Sequence, residues 1–170
     1  QGCWNWFDTE RGRAQAEADT VLAAIDQVCA SRRADPQRVV VAGLSAGASL
    51  AALLALRHPT RLRGVVMHSG VPPGTAHGTL SALAAMGGRR PTAALGQAGD
   101  GTPWPPLLVL HGSLDGVVSP RNAEAAVQAW ADAAGARATA PRRVQRGQRH
   151  AMLVTEHRVR GRSVATLALV

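Results

Sequence analysis

The stretch of this chain that most restricts its fold runs from Val39 to Gly47. Three valines and an alanine, an apolar and largely β-branched run, lead directly into Gly43-Leu44-Ser45-Ala46-Gly47. A Gly-x-Ser-x-Gly pattern between a strand and a helix is typical of a nucleophile elbow, a turn so tight that the serine is held at strained backbone angles. Glycine fits at 43 and 47 because side chains there would collide with the neighbouring strand or the helix start. The pattern predicts a nucleophilic Ser45 at the carboxyl end of a sheet, against the alternative of an ordinary Gly- and Ser-rich turn.

The order of predicted elements indicates the fold class. Apolar runs predict strands at 38–43, 62–67 and 107–111, and helical spacing predicts helices at 14–30, 48–56 and 119–134. The alternating runs 151–158 and 163–170 predict a C-terminal hairpin within 151–170. This succession predicts one α/β domain over 1–170, with a mostly parallel sheet and helices on both faces. The Gly- and Pro-rich residues 71–104 predict a long excursion near the active-site cleft.

The basic charge is concentrated near the C-terminus. The net charge is +8, and residues 137–170 contain eight arginines against one acid, Glu156. Such a segment could attract nucleic acid or an anionic surface, so a binding module built on 137–170 is the alternative from another functional class. However, its arginines alternate with strand-like residues and lack an aromatic stacking platform. We therefore expect a solvated face and no nucleic-acid partner.

The hydropathy of the chain and its two cysteines bear on its cellular compartment. No apolar stretch approaches the roughly 20 residues that span a bilayer, so no membrane partner is expected. Cys3 and Cys29 could form a disulfide in an oxidising compartment, or could be one loop thiol and one buried helical thiol. The oligomeric state stays open.

A serine hydroxyl needs a carboxylate and a histidine to become a nucleophile. After an elbow the acid comes next in the chain and the histidine last, each just past a strand. Asp115 follows the predicted strand 107–111 and is the expected acid; the alternative is a turn carboxylate that caps the loop before Ser119.

The histidine is harder to place. It should follow the strand 163–170, and is therefore expected beyond Val170. His150 precedes that strand and is the alternative base. His68 and His111 end strands beside the site, and we expect them to pack or to hydrogen-bond locally. The backbone N–H of Ala46, the residue after the nucleophile, is the expected donor of an oxyanion hole, whose second donor comes from a loop after an earlier strand.

These stretches together resemble the secreted polyhydroxybutyrate depolymerase and esterase family of α/β-hydrolases, which is close to the feruloyl and acetylxylan esterases. The matching stretches are Gly2–Asp8, Asp35–Val39 with the elbow at 43–47, His68–Pro72, His111–Asp115 and Pro120–Glu124. The first, which contains Trp4-Asn5-Trp6-Phe7, is the most discriminating.

The resemblance implies an α/β-hydrolase fold with Ser45 as nucleophile and Asp115 as triad acid. In the family the histidine lies in a Gly-His-Ala-Trp type segment after the last strand, and the oxyanion loop lies on an early strand. Since neither falls within 1–170, we expect a fold incomplete at its N- and C-termini, an exposed edge beside the elbow strand, and little or no activity from these residues alone.

The resemblance also implies a substrate class. The expected reaction is hydrolysis of polyhydroxyalkanoate or short-chain esters through an acyl-serine intermediate, with a feruloyl or acetylxylan type of esterase as the alternative. It implies a secreted, extracellular protein with no metal or organic cofactor. Trp4 and Trp6 could lie at the rim of the site or be ordinary core aromatics.

Overall fold

The computed structural model describes residues 2–89 and 103–170, so part of the predicted excursion, residues 90–102, lies outside the described residues. The elements follow one another in an α/β succession. In chain order they are α1 (Arg13–Arg32), β1 (Val40–Leu44), α2 (Ala46–Arg57), a short 3-10 helix (Pro59–Arg61), β2 (Gly64–His68), α3 (Thr79–Met86), β3 (Leu107–His111), α4 (Arg121–Ala134), β4 (Arg137–Ala138), β5 (Arg142–Val144), β6 (Met152–Val159) and β7 (Arg162–Leu169).

The strands form one mixed sheet whose first four positions are parallel. The order is β1-β2-β3-β7-β6-β4, and β5 also pairs with β6. Strands β1, β2, β3 and β7 run parallel, in registers that bring Leu44 beside His68 and His111 beside Leu169. Strands β4 and β5 pair antiparallel with β6, which is antiparallel to β7. The carboxyl ends of β1, β2, β3 and β7 therefore meet at one edge of the sheet.

The hydrophobic core lies between one face of this sheet and three helices. Alternate strand residues point to the same face because side chains alternate along a strand, and Val65, Met67, Leu107 and Val109 are buried there against α2 and α4. The crossovers β1–α2–β2 and β3–α4–β7 progress in the same direction across the sheet, and right-handed crossovers of this kind place their helices on the same side. Helices on both faces of the sheet were expected, and α1, α2 and α4 cover this face.

The opposite face carries a stripe of exposed apolar side chains at its β1 edge. Val40 is 59% exposed and Leu44 is 66% exposed, although both belong to the most apolar run of the chain. Strand β1 ends the strand order and pairs only with β2 among the described strands, so the exposed edge expected beside the elbow strand is present.

The two alternating runs near the C-terminus pair as an antiparallel hairpin. Strands β6 and β7 are joined at Arg160 and Gly161, which have φ angles of 48° and 79°. Two successive residues with positive φ are the geometry that a tight hairpin turn requires, and glycine adopts it without steric cost.

Two smaller expectations concern the cysteines and the membrane. Both thiols are free in the structure, with Cys3 exposed and Cys29 half-buried on α1. None of the helices in the described part of the chain combines the length and the apolar character that crossing a membrane requires.

Candidate active site

Ser45 lies at the turn between β1 and α2 in a strained backbone conformation. Its φ of 54° and ψ of −120° fall where a residue with a side chain is rarely found. Its N–H donates to the carbonyl of His68 at 2.8 Å, and its own carbonyl accepts from Ala48 at 2.9 Å, which starts the first turn of α2. The serine is exposed. The sharp strand-to-helix turn predicted from the motif is therefore confirmed in its geometry.

The two glycines of the motif contribute differently to this turn. A Cβ at Gly43 would lie 2.1 Å from the carbonyl oxygen of Gly47, closer than any real contact, so the turn requires glycine at 43. A Cβ at Gly47 would meet only the indole of Trp4, at an ordinary 3.5 Å. The expected collision is thus confirmed at position 43 and is wrong at position 47, because the start of α2 faces Trp4 there and no strand.

The N–H groups at the start of α2 are available to a ligand. Ala48 and Ser49 donate to the carbonyl of Ser45, whereas Ala46 and Gly47 donate to no backbone carbonyl of the described residues. This is the arrangement at the N-terminus of any helix, whose first N–H groups lack intrahelical partners. The N–H of Ala46, expected as an oxyanion donor, therefore follows Ser45 directly and donates to no backbone carbonyl of the described residues.

Asp115 lies in the loop that follows β3, two strand positions from Ser45 along the same edge of the sheet. Its Oδ1 accepts hydrogen bonds from the backbone N–H groups of Val117 and Val118, both at 2.9 Å. The amides of Val118 and then Val117 hold the pKa of the Asp115 carboxyl below its ordinary value, partly opposed by burial, and the Ser69 hydroxyl lowers that pKa further. The carboxylate is therefore ionised and fixed in orientation, as an acid that orients a histidine has to be.

His111 packs beneath Asp115. Its side chain is fully buried, and its Nε2 lies 2.8 Å from the carbonyl oxygen of Val118 and 3.4 Å from Oδ2 of Asp115. Since a carbonyl oxygen only accepts, Nε2 carries the proton and points it toward the Asp115 loop. The expectation that His111 bonds locally is confirmed.

His150, the alternative base, lies near the edge of the sheet that holds Ser45 and Asp115, and it is hydrogen-bonded to neither of them. Because β6 runs antiparallel, its first residues lie beside the end of β7, with Leu153 opposite Leu169. His150 precedes β6 and is exposed there. The polar contacts found for Asp115 involve other groups, and so a role for His150 stays a hypothesis.

No histidine in the described part of the chain is hydrogen-bonded to Ser45. The hydrogen-bonded imidazoles have other partners, namely Asp19 for His58, Thr9 for His77 and Val118 for His111. Within residues 2–89 and 103–170, no three or more His, Cys, Asp or Glu side chains come together in a way that could hold a metal ion.

Trp4 and Trp6, near the N-terminus, lie in different surroundings. Trp6 stacks edge-to-face on Phe7, with ring centroids 5.6 Å apart, and both pack against a buried cluster that includes Val71 and Val118. Trp4 is half exposed and lies over the first turn of α2, beside Gly47. Trp6 is therefore packed against the core, and Trp4 presents an apolar surface beside Gly47 of the elbow.

Sequence reasoning missed the strained backbone of Ser69. It lies directly after β2 with a φ of 51°, and its N–H donates to the carbonyl of Leu110 on β3 at 3.0 Å. The only signal in the sequence was a serine followed by glycine at the end of a strand, in His68-Ser69-Gly70. A positive φ at a residue other than glycine cannot be read from so short a pattern.

A mostly parallel sheet with a strained serine at a strand-to-helix elbow, and a fixed carboxylate two strands away, defines an α/β-hydrolase fold. The chain matches the family model of the esterase PHB depolymerases over residues 1–150, and it belongs to that family. It is 33% identical over 135 residues to a poly(3-hydroxyalkanoate) depolymerase C of Paucimonas lemoignei, an alignment that covers 74% of this chain and 33% of the relative.

Solved structures support the same fold. An acetyl xylan esterase from Aspergillus awamori superposes with a TM-score of 0.78 at 20% identity, covering 99% of this chain and 66% of that one. A Bacillus cereus carboxylesterase superposes with a TM-score of 0.52 at 18% identity, covering 72% of this chain and 49% of the other. The chain spans about a third of the length of the Paucimonas lemoignei depolymerase that it matches.

Proposed function

We propose that this chain carries the nucleophile and the acid of a serine ester hydrolase of the polyhydroxybutyrate depolymerase type. The observation that carries the proposal is that strained Ser45 and ionised Asp115 lie at the same edge of a mostly parallel sheet. Membership of the esterase PHB depolymerase family supports it.

In the proposed reaction the Ser45 oxygen attacks the ester carbonyl while a histidine accepts its proton. The N–H of Ala46 stabilises the developing oxyanion, and the histidine returns the proton to the leaving alcohol. Water then attacks the acyl-serine with the same histidine as base, which releases the acid and restores Ser45. The role of Asp115 is to orient the imidazole and to stabilise it when protonated.

The base is the part that the described contacts do not supply. Since no described histidine is hydrogen-bonded to Ser45, and since His111 is engaged beneath Asp115, we infer that residues 1–170 alone hydrolyse esters slowly or not at all. A triad without its histidine retains only the catalysis that the oxyanion hole and substrate binding supply. Turnover in the complete polypeptide would then depend on a histidine that meets both Ser45 and Asp115.

The proposed substrates are polyhydroxyalkanoate and its short oligomers. The depolymerase from Paucimonas lemoignei, named for poly(3-hydroxyalkanoate), supports this choice. Trp4, beside Gly47 of the elbow, would give the apolar chain of such a substrate a surface to pack against. An acetylxylan or feruloyl type of esterase is the second candidate, favoured by the superposition on the Aspergillus acetyl xylan esterase. We also propose that the protein is secreted, a proposal that rests on its membership of this family.

The test is ester hydrolysis by the complete polypeptide that the gene encodes. Activity on p-nitrophenyl butyrate should fall about a thousandfold or more in Ser45→Ala, and should fall strongly in Asp115→Asn. Ser31→Ala, which changes an exposed serine on α1, is the matched control and should keep full activity. Turnover of 3-hydroxybutyrate oligomers in preference to acetylated xylan and methyl ferulate is the expected substrate order. Full activity in Ser45→Ala would overturn the proposal.

A further inference from the structure

The loop that carries Asp115 exposes two large apolar side chains. Leu114, directly before the carboxylate, is 96% exposed, and Val117, two residues after it, is 73% exposed. A single exposed leucine or valine is common on protein surfaces. Two of them within four residues, one on each side of a site carboxylate, frame that carboxylate with apolar surface at the edge of the sheet that holds Ser45.

The backbone of this loop is fixed on both sides of the two apolar residues. On one side, the N–H and the hydroxyl of Ser113 both donate to the carbonyl of Val170, at 2.8 and 2.9 Å. On the other side, the N–H of Val118 donates to Oδ1 of Asp115 at 2.9 Å, and the side chain of Val118 is buried in an apolar cluster. The loop cannot turn its apolar side chains inward without losing these contacts, so their exposure is built into the structure.

In the proposed reaction, the leaving alcohol lies on the side of Ser45 that faces Asp115. The histidine that returns the proton to this alcohol has to contact both residues, and it therefore lies between them. Ser45 and Asp115 follow strands two positions apart in the sheet, about 10 Å at the usual strand spacing. The alcohol that takes the proton leaves from this interval, whose far end is bordered by Leu114 and Val117.

We propose that Leu114 and Val117 form the subsite for the leaving alcohol, and that they make the enzyme prefer esters of apolar alcohols. The inference rests on the proposed function, because it assigns both side chains to the same reaction. An alkyl chain that packs against them removes apolar surface of both partners from water. When a polyester is cut, the leaving alcohol is the next monomer with the rest of its chain attached, so this subsite binds the polymer beyond the scissile bond.

Esters that differ only in the alcohol test this assignment in the complete polypeptide. Leu114→Ser combined with Val117→Thr removes both apolar surfaces at exposed positions, where the free energy of unfolding should change little. The ratio of kcat/KM for hexyl to methyl 3-hydroxybutyrate should fall about fourfold or more, the effect of about one buried methylene group. The ratio for methyl octanoate to methyl butyrate, which differ only in the acyl chain, should not change. Val28→Thr, at an exposed valine on α1, is the matched control and should change neither ratio.

A second measurement needs no catalysis. In the 170-residue chain, titration with n-hexanol should shift the NMR methyl signals of Leu114 and Val117 in a saturable way, and it should leave that of Val28 in place. An unchanged hexyl-to-methyl ratio in the double variant, or methyl signals of Leu114 and Val117 that move no more than that of Val28, overturns the subsite. Full activity in Ser45→Ala instead overturns the proposed function, and the titration then decides alone whether the loop binds an alkyl alcohol.

Discussion

At the scale of single residues, the elbow depends on the absence of one methyl group. The space beside Gly43 is occupied by the carbonyl of Gly47, and this close approach is what forces Ser45 to a φ of 54°. The requirement at Gly43 follows from the sequence pattern, since a strand and a helix cannot meet so tightly around a side chain. The tolerance at Gly47 does not follow, because it depends on where Trp4 lies.

We therefore predict different costs for the same change at the two glycines. Gly43→Ala should lower the free energy of unfolding by about 3 kcal/mol or more, because the new Cβ would overlap backbone atoms that cannot move without opening the turn. Gly47→Ala should change it by less than about 1 kcal/mol, since its Cβ would make an ordinary contact with Trp4. Urea denaturation of the two variants measures both values. Equal stabilities would contradict this description of the elbow.

Asp115 illustrates the limit of sequence reasoning at this scale. Its place after a buried strand, and after an elbow in chain order, was enough to single it out. The contacts that fix the neighbouring strand end were not predictable, because the N–H of Ser69 meets the carbonyl of Leu110 only through the pairing of β2 with β3. Contacts between the ends of neighbouring strands depend on register, which short motifs do not specify.

At the scale of elements, the strands and helices with strong apolar patterns were predicted within a few residues. The predicted strand at 107–111 coincides with β3, and the predicted helix at 48–56 lies within α2. The short strands β4 and β5 were missed because two or three residues between arginines have no periodicity to detect. They form strands because their backbones pair with the long strand β6.

Strand β6 also carries a titratable group into the core. His157 is buried between Ala138 on β4 and Ala165 on β7, and burial holds its pKa below the ordinary value, partly opposed by the carboxylate of Asp132. The unfolded chain therefore binds a proton more readily than the folded one. The corresponding stability is fully present above the ordinary histidine pKa, near 6.5, and is lost as the pH falls from there toward the lower folded value.

We accordingly predict that the free energy of unfolding decreases between pH 7.5 and pH 5.5, and that His157→Leu reduces this decrease. Urea denaturation at several pH values measures the slope. His150→Leu is the control, since His150 is exposed and its removal should leave the slope unchanged. A slope that survives in His157→Leu would show that another group is responsible.

At the scale of the whole molecule, the fold presents an apolar edge and a basic end. Val40 and Leu44 are exposed on β1, and exposed apolar edge strands favour pairing with other chains. The basic residues 137–170 occupy β4 to β7, where Glu156 pairs with Arg158 and Arg142. The charge is therefore partly neutralised within the hairpin, as expected for a solvated face.

The edge leads to a prediction about association. Val40→Lys should reduce concentration-dependent self-association of the 170-residue chain, because a lysine on an edge strand opposes strand pairing. Val28→Lys is the matched control, since Val28 is 55% exposed and lies on helix α1, outside the sheet. Sedimentation velocity over a range of concentrations compares the two. Equal association in both variants would mean that the β1 edge is not the contact.

The central claim is that Ser45 is the activated nucleophile of an ester hydrolase, and a covalent probe tests it most directly. The complete polypeptide would be treated with a fluorophosphonate, which phosphonylates an activated serine, and digested for mass spectrometry. We predict one adduct, on the peptide that contains Ser45, its loss in Ser45→Ala, and slower labelling in Asp115→Asn. An adduct on another serine with Ser45 unmodified would contradict the account.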